Sequence, residues 1–273
     1  MKTTIKLFVA IAITLLLCSP TLFAQEATRP AYVTATTMHW NMDNEDFDMK
    51  EWIAVEKEYL DKVTMKNEHI MTAAFYLHRY TADNSELVYV QTYADWGAID
   101  KAVDRNDELA EEAWPDEAAR DAFFDKQASY YVDFHSDEIY ATMSGAKMMT
   151  EAPGDDMILY VRKGHFAYPD DGTNDEFEAL RTEFTENVIH KNELIKAYYP
   201  NAHAWGSDRT EFVAAFMYSS MSDLDKVGER NEELIEAHWP DETARKEMFK
   251  KFDKYFTAVH GDYIYTLVKE LVK

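Results

Sequence analysis

The sequence predicts an α+β protein made of two consecutive copies of one domain, and three observations carry that expectation. Shifted by 125 residues, the chain matches itself: from Trp52/Phe177 to Met143/Val268, 92 paired positions align without a gap and 32 are identical. The identities include Lys66-Asn67-Glu68 on Lys191-Asn192-Glu193, Trp114-Pro115-Asp116-Glu117 on Trp239-Pro240-Asp241-Glu242, and His135-x-Asp137-x-Ile139-Tyr140 on His260-x-Asp262-x-Ile264-Tyr265. A period of this length marks a domain and not a solenoid unit. Within each copy, β-branched and aromatic runs alternate with stretches of helical periodicity. Between the copies, Glu151-Ala152-Pro153-Gly154-Asp155-Asp156 reads as a linker, from its Pro-Gly and its acids.

The elements follow in order. Val33 to Met42 and Met157 to Phe166 read as first strands. Acidic loops, Asp43 to Asp48 and Pro169 to Asp175, lead into helices whose apolar positions are Trp52, Val55, Tyr59 and Val63, or Phe177, Leu180, Phe184 and Val188. Asn67 and Asn192 are placed at the left-handed position that ends a helix. Strands Ile70 to Tyr80 and Leu87 to Tyr93, and Ile195 to Trp205 and Phe212 to Tyr218, flank short polar turns. Helices starting near Ile99 and Leu224 break at Trp114 and Trp239, because the residue before proline avoids the helical region. Pro-Asp-Glu then opens another helix. Phe124, Tyr131 and Phe134, or Phe249, Phe256 and Val259, are placed on its apolar side, so that His135 and His260 fall at its end. Last strands are expected at Glu138 to Met143 and Tyr263 to Val268.

The resulting order, β-α-β-β-α-β, is the ferredoxin-like one: an antiparallel sheet with helices on one face. Val88 and Val90 make the other face apolar, and two such sheets cover each other. In this the chain resembles the dimeric α/β-barrel superfamily. The segments Trp205-Gly206-Ser207-Asp208-Arg209-Thr210-Glu211 and Asp223-Leu224-Asp225-Lys226 resemble those of its small exported members. The resemblance implies two ferredoxin-like repeats, residues 25–150 and 151–273, packed sheet to sheet as an intrachain pseudo-dimeric barrel. The superfamily includes cofactor-free monooxygenases, haem enzymes and plain binding proteins, so the fold alone does not choose the activity.

Met1, Lys2 and Lys6, the apolar run Leu7 to Leu17, and Leu22-Phe23-Ala24 before Gln25 read as a signal peptide, residues 1–24, cleaved after Ala24. An exported protein, periplasmic or extracellular, is expected. Lipidation at Cys18 is the alternative; Leu17 stands where such signals carry a small residue. Cleavage removes the only cysteine, which excludes disulfides, thiol nucleophiles and thiolate metal ligands. Asp and Glu number 51 against 28 Lys and Arg, a net charge of −23, which repels nucleic acid and anionic membrane surfaces. No membrane insertion is expected once the leader is removed.

Candidate site residues come from the polar groups among the aromatics. Strand alternation sets Tyr76 and Tyr80 beside His78, and Asn201 and Trp205 beside His203; a histidine there is either an acid, base or ligand group facing a cavity or a satisfied core residue. Asn106 and Asn231 lie on apolar helix stripes (Ile99, Val103, Asn106, Leu109 in the first copy), where an amide must find structural partners or a ligand. Arg105 and Arg230 are expected to pair with surface acids, and Trp114 and Trp239 to pack the helix corner. No metal is expected: His-Glu-x-x-His is absent and the acidic loops do not fit calcium spacing. Gly-rich phosphate loops and a Gly-x-Ser-x-Gly elbow are absent too.

Together these point to an exported protein that binds a small apolar or aromatic molecule in an aromatic-lined cavity, without a cofactor. The alternatives are a cofactor-free monooxygenase or lyase using His78 with Asn106, or His203 with Asn231, and a haem-binding protein; assembly as a homo-oligomer stays open. Pro200 in place of Phe75 and Gly228 in place of Val103 lead one to expect a less regular strand and a hollowed core in the second copy.

Overall fold

The computed structural model describes residues 29–150, 152–154 and 157–273. The expected leader lies outside the described residues, as do Glu151, Asp155 and Asp156 of the linker. The order is β1 (Tyr32–Trp40), α1 (Met49–Tyr59), β2 (Thr72–Tyr80), β3 (Glu86–Tyr93), α2 (Gly97–Ala113), α3 (Glu117–Ala128), β4 (Tyr131–Thr142), β5 (Ile158–Phe166), α4 (Asn174–Phe184), β6 (Ala197–Trp205), β7 (Glu211–Tyr218), α5 (Met221–His238), α6 (Glu242–Asp253) and β8 (Phe256–Val272). The strands close into one barrel in the order β1-β3-β2-β8-β5-β7-β6-β4. Every neighbouring pair is antiparallel.

Local chemistry explains the helix starts. Asp48 accepts from the N–H groups of Lys50 and Glu51, and Asp116 and Asp241 cap α3 and α6 through Ala119 and Ala244. The acid of each Pro-Asp-Glu is thus the cap itself. α1 and α4 each run on into a π-helical turn, Leu60–Thr64 and Thr185–Ile189.

Alternation divides the side chains of the barrel. Val33, Ala35, Ala74, Tyr76, Val88 and Val90 from the first half meet Leu159, Val161, Tyr199, Val213, Tyr265 and Leu267 from the second in a packed lumen. The opposite sheet faces pack under the helices, as with Phe75 and Leu87 against Trp52 of α1. Two seams join the halves. On one, Tyr140 to Thr142 of β4 pair with β6; on the other, residues of β8 pair with β2. Both are hydrogen-bonded ladders, so the half-sheets are joined edge to edge as well as facing each other. Lysines clamp the seams: Lys147 donates to Asn192 O at 2.8 Å, and Lys273 to Thr64 O at 2.7 Å and Asn67 O at 2.6 Å. Each follows the last strand of one half and caps the helix end of the other.

Several expectations are corrected. Residues 131–137 are strand and not helix: β4 begins at Tyr131 and β8 at Phe256, pairing with Trp40 and Phe166. β-Branched and aromatic residues suit a pleated strand, and the helical spacing of Phe124, Tyr131 and Phe134 is coincidental. His135 and His260 therefore sit on strands, 3.2 Å from Asp137 and Asp262 respectively. Asn67 and Asn192 are not left-handed; Tyr168 is the only non-glycine with positive φ among the described residues. Pro200 does not break β6, which is as long as β2 and pairs it with Ala214. Its carbonyl accepts from Met143 N–H just past the end of β4, so the return bond that proline cannot donate to Met143 is missing only at the end of the seam. Val103 is exposed, and a side chain at Gly228 would meet open space, so that exchange hollows nothing.

One ionisable group is buried under the first-half helices. Glu56 of α1 accepts from Tyr131 Oη at 2.7 Å and Gln127 Nε2 at 2.9 Å, and Trp52 Nε1 donates to Tyr131 Oη at 2.7 Å. Burial raises the Glu56 carboxyl to about 6, against the opposing pull of Tyr131 and Gln127. A carboxyl raised in the folded state adds stability below its unfolded pKa and loses it as pH rises through the folded value. Comparing wild type with Glu56→Gln by urea denaturation should show the variant gaining about 2 kcal/mol relative to wild type between pH 4 and 7.5. A pH-independent difference would show that Glu56 is not buried in this way.

Candidate functional site

Alternation along β2 places Ala74, Tyr76 and His78 on one face, and Ala74 and Tyr76 line the lumen. On β6, Tyr199, Asn201 and His203 do the same. The seams then supply register partners: His78 lies opposite Tyr265 of β8, and His203 opposite Tyr140 of β4. Each seam thus has a mouth at which a histidine from one half meets a tyrosine from the other, and both mouths lie toward the same end of the barrel, because β2 and β6 run in the same direction. A glutamate completes each set. Tyr140 Oη lies 2.6 Å from Glu211 Oε2, and Tyr265 Oη is hydrogen-bonded to Glu86. His78, Glu86 and Tyr140 recur at the 125-residue offset as His203, Glu211 and Tyr265.

The mouths differ in what surrounds the phenol. At the second, Tyr140 Oη also lies 2.6 Å from Glu138 Oε2, Lys163 Nζ lies 3.4 Å from Tyr140 Oη and 3.6 Å from Glu211 Oε1, and Ser207 donates to Glu138. At the first, Tyr263 stands at the offset position of Glu138. Thr37 holds the barrel position of Lys163, since His39 pairs with Glu86 as His165 pairs with Glu211. Burial pushes Tyr140 far above the usual phenol range, and its two carboxylates add to that. Burial also raises Glu211, helped by the charge of Glu138 and opposed by Tyr140 and Lys163. For Glu138, burial raises the carboxyl, but the Tyr140 hydrogen bond, Lys163 and further hydrogen bonds outweigh it and leave it low.

Two polar atoms on the β6 strand near Tyr140 are buried without a hydrogen-bond partner among the described residues: Asn201 Oδ1 and His203 Nδ1. Asn201 is only 5% exposed. His78, its counterpart at the first mouth, is satisfied by Thr81 Oγ1 at 2.8 Å. An orphaned buried polar atom costs roughly 1–3 kcal/mol, so two of them close together mark a place that some other group completes.

The other expected site residues are distributed as follows. Tyr76 lines the lumen, where burial pushes its phenol well up. Tyr80 and Trp205, at the outer ends of β2 and β6, are exposed. Asn106 accepts from Asn67 Nδ2 at 2.8 Å, and Asn231 from Asn192 Nδ2 at 2.8 Å. Asn67 and Asn192 are fully buried and also bind the backbone N–H of His69 and Leu194. These amide pairs tie α2 and α5 to the turns after the π-helical segments, outside the barrel. His78 and Asn106 therefore lie on opposite faces of the sheet, as do His203 and Asn231, and neither pair converges on one cavity. Arg105 and Arg230 bind acids at the surface, and Trp114 stacks on Phe123 at the helix corner.

The sequence pointed to the histidines but missed Glu86, Glu211, Glu138 and Lys163. Glu86 and Glu211 could have been found as identical offset positions at the starts of two strands, where an acid is a poor strand residue; Glu138, with Tyr263 at the offset, could not. Lys163 has no counterpart at the offset and left no signal. Two open recesses are seen elsewhere. One of about 560 Å³ runs between α5 and α6, past Glu232, Arg245 and Phe249; another of about 310 Å³ lies beside the linker, past Lys147, Met149 and Lys196. Neither is the aromatic-lined cavity expected, because the aromatics pack on one another, as in the cluster of Phe166, Phe177, Phe252 and Phe256.

No protein-family model and no curated protein sequence matches the chain. Solved structures do. A candidate monooxygenase of Lactobacillus acidophilus NCFM superposes with a TM-score of 0.55 at 9% identity over 89% of this chain and 96% of its own. A candidate monooxygenase of Fusobacterium nucleatum gives 0.56 at 10% identity over 88% and 93%. A mutant chlorite dismutase of Candidatus Nitrospira defluvii gives 0.51 at 12% identity over 87% and 90%. The likeness is one of fold.

If the amide pairs are structural, Asn106→Leu orphans the Asn67 amide and lowers stability by about 1–3 kcal/mol while leaving ligand response untouched. Denaturation and thermal-shift measurements on the same variant check both halves of that statement.

Proposed function

We propose that this chain is a small-molecule-binding protein whose working site is the second barrel mouth, around Tyr140. The carrying observation is the pair of buried, unpartnered atoms Asn201 Oδ1 and His203 Nδ1 beside a clustered phenol, two carboxylates and an ammonium group. The ligand this favours is small, with an apolar or aromatic body against Tyr199, Val213 and Ala215, and a hydroxyl or carbonyl that engages Asn201 and His203. The first mouth, with His78 satisfied and no lysine, is the weaker site, so the copies have diverged in the direction opposite to that expected from Pro200 and Gly228.

Cofactor-free oxygenase or lyase chemistry is the second reading. It is favoured by the fold shared with candidate monooxygenases and by a carboxyl, Glu211, that burial raises where a substrate hydroxyl would dock. The pairing of His78 with Asn106 has no place in it. Haem, the third reading, has less support: neither of the two open recesses is lined by a histidine, tyrosine or cysteine that could hold its iron. The repeat and the shared strand order of the two halves, β4-β1-β3-β2 and β8-β5-β7-β6, support a tandem duplication of a ferredoxin-like unit, with domains 25–150 and 151–273. Export by the 1–24 leader is part of the proposal, and the mature product should begin at Gln25 by intact mass; retention of Cys18 with an added lipid would contradict it.

The binding site is tested by His203→Leu. The change removes an orphaned polar atom, so the ligand-free variant should be as stable as wild type or gain about 1 kcal/mol. A small hydroxy-aromatic compound near 100 times its Kd should raise the wild-type melting temperature by about 5–10 °C and leave the variant unmoved. A destabilised variant that keeps the ligand shift would sink the assignment.

A further inference from the structure

Proton counting at the second mouth leads further. Tyr140 has one hydroxyl hydrogen, yet its oxygen lies 2.6 Å from Glu138 Oε2 and 2.6 Å from Glu211 Oε2. A phenol donates to only one acceptor at a time in a linear bond, and a second ionised carboxylate at that distance from its oxygen is repelled. Both contacts are favourable together only when one carboxyl is protonated and donates to the phenol oxygen. With both ionised, Glu138, Glu211 and Lys163 would leave one uncompensated negative charge in a place where Tyr140 is 4% and Glu211 8% exposed. One added proton makes the set neutral.

We infer that Glu211 carries a proton at neutral pH and donates it to the Tyr140 oxygen while Tyr140 donates its own to Glu138, so that the second mouth is electrically neutral and receives an uncharged small molecule with a hydroxyl or carbonyl group, not an anion. The ligand half of this rests on the binding site proposed above; the proton half does not. Glu211 is the carrier because it is the more buried carboxyl, and burial raises it while Glu138 is held low. The first mouth is an internal control: Tyr265 faces the single carboxylate Glu86, with Tyr263 in place of Glu138, and needs no extra proton. Other groups facing the trio do not replace it. His203 comes from β6; His165 of β5 is engaged by Asp208 at 3.0 Å, and Ser207 of the β6–β7 turn donates to Glu138.

An anionic ligand would restore to the mouth the uncompensated charge that the proton removes, whereas an uncharged hydroxyl or carbonyl adds none.

Carbon-13 NMR of the glutamate side-chain carboxyls in the ligand-free protein reads the proton directly, with Glu211→Gln and Glu138→Gln assigning the signals. The expected result at pH 7 is a protonated Glu211 and an ionised Glu138. Glu138→Tyr, which copies the first mouth, should weaken proton binding at Glu211 at least tenfold, and Tyr140→Phe, a smaller change, should also uncouple the two titrations. A Glu211 already ionised at pH 7 in the wild type overturns the inference. p-Nitrophenol, colourless when neutral and yellow when ionised, probes the ligand: at pH 7 the wild type should bind the colourless form and deplete the yellow. Preferential binding of the yellow anion overturns the ligand half. A protonated Glu211 with no p-nitrophenol bound at all counts instead against the binding site.

Discussion

Pairing of each half's last strand with the other half is the constraint on which the rest of the structure depends. Four strands in the order β4-β1-β3-β2 have two open edges and an apolar face that no helix covers. Unpaired strand edges and exposed apolar faces are costly in water. β4 on β6 and β8 on β2 remove both problems at once, because closing the edges turns the two apolar faces inward onto each other. The lysine clamps work at the same seams. Lys147 and Lys273 direct their ammonium groups at backbone carbonyls that end the opposite half's helix, where a positive charge meets the negative end of the helix dipole. Burial depresses both lysines below the usual range, the cost of placing a cation at a closed seam.

Function is tied to the same closure. Neither mouth is complete within one half, since Tyr140 reaches Glu211 and Tyr265 reaches Glu86 only across a seam. The seam fixes the register that sets His203 opposite Tyr140. Divergence then acts on few positions. Exchanging Tyr for Glu at position 138 and Thr for Lys at the β5 position turns a plain phenol–carboxylate pair into a charged cluster, and leaves the main-chain frame unaltered. The Glu56 network shows the same economy on the outer sheet face: its counterparts in the second half are Arg181, Phe252 and Phe256 by the offset, and Arg181 turns to Ser144 O at 2.7 Å.

The fold was legible because it rests on periodicity and repetition. The first strands, the hairpins and the broken helices all lie within about two residues of where the pattern puts them. The errors have physical causes. Tyr131 and Phe134 fit a helical stripe as well as a strand, and only pairing with β1 separates the two. Pro200 looked like a defect because its neighbours were unknown; at the end of a seam its missing N–H costs β4 a single bond, the return to Met143. Asn106 was rightly singled out as an amide that needs a partner, but that partner, Asn67, comes from a segment read only for its backbone conformation. The site was half legible: the histidines stand out by residue type, whereas Glu138 and Lys163 gain meaning only when β4, β5 and β7 are brought together by barrel closure.

The most direct measurement of closure is native-state hydrogen exchange across a urea series. If the halves complete each other, the slowest amides of β2, β4, β6 and β8 exchange through one shared global opening, with the same free energy and the same urea dependence. Residues 29–150 and 157–273 would then unfold in a single transition. Two families of amides, divided at the linker and opening at different free energies with smaller urea slopes, would mean that each half stands alone, and the closed barrel with its shared mouths would be contradicted.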